Sequence, residues 1–393
     1  MSVVPPVPPP PAPAPWVLLV PGLLTLLGGA AIFLTLGSFV QILNVPTGLW
    51  WTEIAVFAAL PLLALRAFGL NPWRTTGLDG FSLGQLAFGA LVGAVNYIAV
   101  AMPVQWTAVH VFPTVLVKMF DTAQLFRTLS GPDLVMTSLA VCIAAPICEE
   151  IAFRGLVHRA LIEKASPWVA IVVGGAIFSG FHFDPVGFAV RFELGALFGW
   201  MAWKSGSIWA GVGAHAANNS TSMLLYLLSP DAKDDDPTWK QVAVMFGVGM
   251  VVLVAVLKLL PRYFPSLLKS PRPAETVRAG PKDMIRPILY WVAGTVFTIS
   301  ALFGLDYNGT QLGLMDAKWP VRFDESSDPE LKQLMDLRSQ ARHGEVKLEV
   351  YQERRKADAK THPLFDFMKV TPPAGDAPNA GLPEKPGESS KAQ

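Results

Sequence analysis

The chain is 393 residues long, 52% hydrophobic and only 16% charged, with a formal net charge of +1. Soluble domains carry about 25% charged residues, so this composition excludes a string of ordinary soluble domains and points to a polytopic membrane protein. No basic tract is dense enough for nucleic-acid binding, and the two cysteines, Cys142 and Cys148, lie in one apolar run, which excludes a disulfide framework or a zinc finger and leaves them as small core residues.

In chain order, residues 1–15 are proline-rich without Lys or Arg, so they lack the basic start of a secretory signal and read as a polyproline II tether. Hydrophobic segments follow at 17–43, 50–68, 82–105, 133–153, 167–183, 187–203, 207–228, 241–260 and 287–305. Several fall short of the ~20 residues needed to cross a bilayer squarely. The two from 167 to 203 carry His182, Asp184, Arg191 and Glu193, and such helices can sit only inside a bundle. Residues 106–132 predict an amphipathic interfacial helix, and Leu156–Lys164 is similar. From about Asp306 the chain turns polar. Asp328–Arg355 predicts one or two helices, with a short strand at Val346–Tyr351 as the alternative, and the residues from Thr371 onward read as disordered. No internal repeat is visible.

Lys and Arg in the joins set the expected orientation. A cytoplasmic N-terminus places Arg66, Arg74, Arg154, Arg159, Lys164, Lys204 and the dense group from Lys258 to Arg286 inside, as the positive-inside rule favours. With nine crossings the polar tail then lies outside.

Chemistry concentrates in three apolar segments. The first ends Cys148-Glu149-Glu150-Ile151-Ala152-Phe153-Arg154, and ionisable groups inside a membrane segment are costly enough to mark a functional site. Neighbouring helical residues point about 100° apart, so the two glutamates cannot share one job. Arg154 follows Glu150 by four residues and can pair with it on one face, which places this pair at the helix end and leaves Glu149 facing inward. Pro146 lacks an N–H and deprives the Cys142 carbonyl of its usual donor. The blander reading is an interfacial salt-bridge cluster. The second segment is Phe178-Ser179-Gly180-Phe181-His182, where a lone histidine would more often be a packing residue. The third runs from Gly211 to Asn219. His215 and Asn219 share a helical face among Gly and Ala neighbours, offering an imidazole and an amide N–H that could stabilise an oxyanion, against the alternative of an interhelical hydrogen-bond pair. Together a carboxylate base, a histidine and a His/Asn donor pair are the parts of water-mediated amide hydrolysis, with no serine or cysteine nucleophile required.

The ordered set Glu149-Glu150-x-x-x-Arg154, Phe178-x-x-x-His182 and His215-x-x-x-Asn219, with Gly195-Ala196-Leu197-Phe198-Gly199-Trp200 leading toward His215, resembles the CPBP family of intramembrane proteases. That family includes the type 2 CAAX prenyl endopeptidases and the bacteriocin-processing (Abi) proteins. The resemblance covers roughly residues 82–228. It implies an all-α bundle of about eight core membrane helices, to which this chain adds a C-terminal span and a mostly soluble tail. It further implies that Glu149 and His182 activate water, that His215 and Asn219 form the oxyanion hole, and that Glu150, Arg154 and Phe178 orient or support the site. The expected organisation is a tether over 1–15, a catalytic membrane domain over 16–265, a basic loop over 266–286, an added span over 287–305 and a tail over 306–393.

Two histidines and a glutamate could hold catalytic zinc through Glu149, His182 and His215. Asparagine is a poor zinc ligand yet shares the face of His215, which fits a donor pair better, so metal-free hydrolysis is the expectation and zinc the alternative. The expected substrate is a peptide or protein at the membrane, possibly lipidated, and the expected location a bacterial inner membrane. The rival readings are a transporter or channel using the buried Glu/His/Arg set as a proton relay, which inverted repeats would favour, and a non-catalytic membrane scaffold.

Overall fold

The computed structural model describes residues 17–121, 126, 129, 131–228, 237–270, 272, 274–278, 284–322 and 328–363. The tether at 1–15, the acidic join at 229–236 and the segment from 371 onward lie outside the described residues. Within them the chain is all-α, with 14 helices. These are α1 Leu19–Leu43, α2 Val45–Ala67, α3 Pro72–Thr76, α4 Leu83–Val111, α5 Thr114–Met119, α6 Gly131–Ile162 and α7 Pro167–Gly180. There follow α8 Phe188–Ser205, α9 Trp209–Leu228, α10 Trp239–Tyr263, α11 Ile285–Leu305, α12 Tyr307–Lys318, α13 Pro329–His343 and α14 Leu348–Thr361.

Six of these helices, α1, α2, α4, α6, α10 and α11, are long and apolar enough to cross a membrane. The helix starts follow local chemistry. Asn44, Ser82 and Ser166 each accept a backbone N–H of the first turn of α2, α4 and α7, and a proline follows Asn44 and Ser166 within two residues. Gly206, at φ 68°, ends α8 in the left-handed conformation that favours glycine.

Two expectations are corrected. α4 continues to Val111, so residues 106–111 belong to a long helix rather than to a separate interfacial one; a π-wound turn at Tyr97–Ala101 leads into Pro103, and His110 stacks on Trp106 at 3.9 Å. α6 does not stop at its glutamates but runs on to Ile162, absorbing Leu156–Lys164 up to that point. The i, i+4 pairing of Glu150 with Arg154 neutralises the charge locally, so it does not terminate the helix. The helices expected over Asp328–Arg355 form as α13 and α14, and the strand alternative at Val346–Tyr351 does not. Gly344 at φ 77° closes α13, and α14 then folds back to bury Tyr351 with Leu312, Leu334 and Ala341.

α4 and α9 make the tightest long contact. A Cβ at Gly89 or Gly93 would run into the carbonyl of Ala210 or Ala214, so this glycine pair at i, i+4 lets the two backbones touch, as small residues do in membrane helices. α7 and α8 form a second close pair through Gly175 and Gly195. With 14 residues α7 is short, and its turn to α8 is held by Asp184, which accepts the Val186 and Gly187 N–H groups and pairs with Arg191 at 2.5 Å. Glu193 is matched by Asn96 of α4 at 3.1 Å. The polar residues that make α7 and α8 poor lipid-facing spans are thus satisfied inside the bundle.

One end of the bundle gathers Leu18, Leu65, Leu70, Leu156 and Ala160, with Arg74, Arg159, Arg272 and Arg278 around them. At the opposite end α12, α13 and α14 dock beside Asn44. Asp306 accepts from Asn44 and Arg342, and Arg342 also pairs with Asp133 at the start of α6. Burial beside Asp316 raises the Tyr351 hydroxyl, which stays protonated and donates to that carboxylate at 2.6 Å.

Substituting Gly93→Leu is expected to force α4 off α9 and destabilise the fold by about 2 kcal/mol or more. Thermal unfolding of the purified protein in detergent reads this directly. Gly294→Ala, where a Cβ would meet nothing within 4 Å, is expected to unfold as the parent does.

Candidate functional site

The site is built on α6 between two π-wound stretches, Ala140–Ala144 and Ile151–Val157, which bracket Glu149 and Glu150. Such windings recur at functional sites because they re-aim side chains out of the regular helical register. Their cause here is legible. The Ala145 N–H bonds Ala140, one residue further back than in an α-helix, and Pro146 has no N–H to give. The carbonyl left without a helical donor is therefore Val141 rather than Cys142. Asn219 of α9 supplies the missing donor, its Nδ2 lying 2.9 Å from the Val141 oxygen.

Glu150 is fully buried and pairs with Arg154 at 2.8 Å, one helical turn on. Arg154 also donates to the Gly195 carbonyl of α8 at 3.1 Å, and its guanidinium lies over Phe178 and Phe198, 4.3 and 5.2 Å from the ring centroids. Gly211 of α9 makes room for this carboxylate, since a Cβ there would fall 2.6 Å from Glu150 Oε2. Arg154 is held by a carboxylate, a carbonyl and two aromatic faces, while both Glu150 oxygens are buried with the guanidinium 2.8 Å away but without a hydrogen bond of good geometry among the described residues.

His215 joins the two glutamates. Its Nδ1 lies 3.5 Å from Glu150 Oε1 and its Nε2 3.9 Å from Glu149 Oε2, while Phe198 stacks on the ring at 5.1 Å and Phe178 meets it edge-on at 5.8 Å. Glu149 Oε2 is buried without a hydrogen-bond partner among the described residues. His182, just past the end of α7, turns Nδ1 to the Phe178 carbonyl at 3.0 Å, and its ring sits 5.1 Å from that of Phe178. Phe178 therefore separates the two histidines while touching both. Glu149, Glu150, Arg154, Phe178 and His215 come together as one cluster, His182 borders it through Phe178, and Asn219 engages the α6 backbone at its edge.

The sequence reading passed over Glu53. It stands in the π-wound Thr52–Ala59 stretch of α2, is 7% exposed, and has a carboxylate oxygen with no hydrogen-bond partner among the described residues. Glu53 and Glu149 lie within electrostatic reach of each other, and Cys148 lies within reach of both. The available signal was a lone acid inside an apolar span, the same signal that singled out Glu149. Among the described residues no three His, Cys, Asp or Glu side chains are placed to hold a metal ion together. Glu149, His182 and His215 as arranged do not make the zinc set, and no step below runs through a metal.

An all-α bundle with six candidate membrane spans and an acid–imidazole cluster buried between its helices defines an integral membrane protein. Residues 131–221 match the family described as type II CAAX prenyl endopeptidase Rce1-like, and this part of the chain is a domain of that family. The matched stretch runs from the start of α6 into α9 and holds every residue of the cluster except Glu53. No curated protein and no solved structure matches the chain.

Replacing Arg154 alone with Gln leaves the buried Glu150 charge uncompensated and is expected to cost about 3–5 kcal/mol of stability. The paired change Glu150→Gln with Arg154→Met is expected to recover most of it. Denaturation midpoints of the three proteins decide the point, and an equal loss in the double variant would refute a charge-based origin.

Proposed function

We propose that the protein is an intramembrane endopeptidase of CAAX type, hydrolysing a peptide bond of a membrane-associated peptide or protein by activated water. The observation that carries this reading is the unbonded Oε2 of Glu149, buried 3.9 Å from His215 Nε2 within the family-matched segment. A carboxylate oxygen that is desolvated and unclaimed by the fold is suited to accept a proton from water.

In the proposed reaction, water placed between Glu149 and His182 loses a proton to Glu149 as its oxygen attacks the scissile carbonyl. The carbonyl oxygen takes up negative charge and receives hydrogen bonds from His215 and Asn219. An amide carries two N–H donors, so Asn219 can keep one on Val141 and turn the other to the oxyanion. Glu150, facing Nδ1, orients His215 so that Nε2 points at the reacting centre. Glu149 then passes its proton to the amine nitrogen as the C–N bond breaks, leaving a carboxylic acid and an amine, and the acid's proton passes to the amine as the two products ionise. We assign Glu150, Arg154 and Phe178 to positioning rather than to proton transfer, and Glu53 to the electrostatic setting of Glu149.

In the proposed orientation the basic end of the bundle faces the cytoplasm and the docked helices α12 to α14 face the other side, following the positive-inside rule. Division into a catalytic bundle over 16–265, a basic loop, an added span and a tail follows the same reading. The aqueous end nearest the cluster then admits water, and the flanking helices admit an apolar or lipid-modified substrate from the bilayer.

Cleavage of prenylated and unprenylated model peptides by the purified protein is expected, with Glu149→Gln and His182→Ala each lowering kcat by about 10²-fold or more. Glu53→Gln is expected to retain measurable turnover, because this carboxylate sets the field and takes no proton from water. Full proteolysis by Glu149→Gln would refute the assignment of the base. A second measurement addresses the metal: chelation is expected to leave cleavage intact, and loss of activity restored by one zinc per chain would overturn the metal-free route.

A further inference from the structure

A sizeable cavity lies away from the acid–imidazole cluster. It is a cleft of about 820 Å³ between α2 and α11, outside the family-matched segment. Its lining is almost wholly apolar, with Trp50, Trp51, Trp73, Tyr290 and Trp291 as its large side chains and Arg66 as its one charged residue. From Thr47 to Arg66 the cleft follows α2 over twenty residues, at most about 28 Å at 1.5 Å per step, which approaches the ~30 Å of a hydrocarbon core.

α11 meets α2 along a thin seam. Trp51 Nε1 donates to Thr295 at 3.3 Å and Trp291 Nε1 donates to the Ala55 carbonyl at 3.0 Å, while only 11% of the α11 span is buried. The floor of the cleft has thus spent its polar groups, and what remains exposed is hydrocarbon and aromatic surface. Arg66 is different. It is half-buried at the end of the cleft and makes no ion pair or side-chain hydrogen bond among the described residues. Trp73, 60% exposed, stands at the same end, as amphipathic rings do at headgroup depth. This is also the end that gathers Arg74, Arg159 and Arg278. A basic pocket between membrane helices at such a face is a recognised setting for anionic headgroups.

We propose that this cleft binds one anionic phospholipid, with an acyl chain lying between α2 and α11 and the phosphodiester on Arg66. The lipid completes the packing of α11 against the bundle, filling a seam that the protein's own side chains leave open. This site does not depend on the proteolytic reading and would stand if that reading failed.

The test uses the purified full-length chain equilibrated with phosphatidylcholine vesicles containing or lacking phosphatidylglycerol. Retained lipid is counted by native mass spectrometry, and a photoreactive acyl-chain phosphatidylglycerol is mapped by peptide. The parent is expected to retain phosphatidylglycerol about fivefold over phosphatidylcholine, the worth of one basic contact, with label on 45–67 and 285–305. Arg66→Gln is expected to remove the preference while keeping the label position. Gly294→Phe, which projects into the cleft where a Cβ meets nothing within 4 Å, is expected to abolish both. Equal retention of the two lipids by the parent, unchanged preference in Arg66→Gln, or label mapping elsewhere would each overturn the proposal. So would a dimer that Gly294→Phe dissociates, since a second copy of the chain would then be the occupant.

Discussion

The buried ion pair between Glu150 and Arg154 is the constraint around which the centre of this bundle is arranged. Neither charge is tolerable alone in a low-dielectric interior, and each offsets the other at 2.8 Å. α8 contributes the Gly195 carbonyl and the Phe198 face, α7 contributes Phe178, and α9 contributes the space at Gly211 and the imidazole of His215. Four helices are therefore bound to one charge pair. Its demands explain why α9 approaches α6 through glycine and why Phe178 and Phe198 close on the same guanidinium. Glu149, one residue away and turned to another face, inherits a rigid frame without being part of the pair.

The second organising element is the irregular winding of α6. Pro146 would ordinarily cost a membrane helix one satisfied carbonyl, and an unsatisfied carbonyl in hydrocarbon costs several kcal/mol. Here the extra residue of the π turn moves the vacancy to Val141, within reach of Asn219. One amide thus has a structural task as well as its proposed chemical one. The same turn rotates the residues that follow it, so the orientation of Glu149 and the attachment of α9 share a single cause. A substitution at Asn219 acts on both together.

Much of this was readable from the residues. The runs of apolar residues located every long helix, and the spacing Glu150 to Arg154 foretold their pairing because side chains four apart still share a face when the turn between them is π-wound. The limits of legibility are equally physical. π windings leave no simple composition signal, so the continuation of α6 through its glutamates and the shift from Cys142 to Val141 emerged only from backbone hydrogen bonds. Charge at Glu149 and Glu150 read as a helix end because charges usually lie at membrane surfaces, a habit that pairing in the interior sets aside. Glu53 escaped notice because it has no motif around it: its significance comes from packing of α2 on α6, a contact between residues nearly a hundred positions apart. The pattern at Val346 to Tyr351 alternates as a strand would, yet Gly344 allows a tight reversal, and burying Tyr351 in a helical core outweighs the local preference.

The chain's two flanks differ in how they are held, and the difference bears on where the membrane itself contributes. At one end the docked helices α12 to α14 are tied down by directed polar contacts, with Arg342 joining Asp133 to Asp306 and Asn44 completing the set. α11, which connects that module to the bundle, meets α2 through two tryptophan hydrogen bonds and a narrow apolar seam. In water such a helix would be driven onto its neighbours by the hydrophobic effect. In a bilayer that force is absent, because lipid chains are as apolar as the side chains they would replace. A helix so placed is positioned by its two ends, by α12 at one and by the basic loop at the other, and the space along its middle is a place for lipid rather than a defect of packing. The acid–imidazole cluster, by contrast, is closed by charge, aromatic faces and glycine contacts that owe nothing to lipid, so its geometry can stay fixed while the outer flank adapts to the membrane around it.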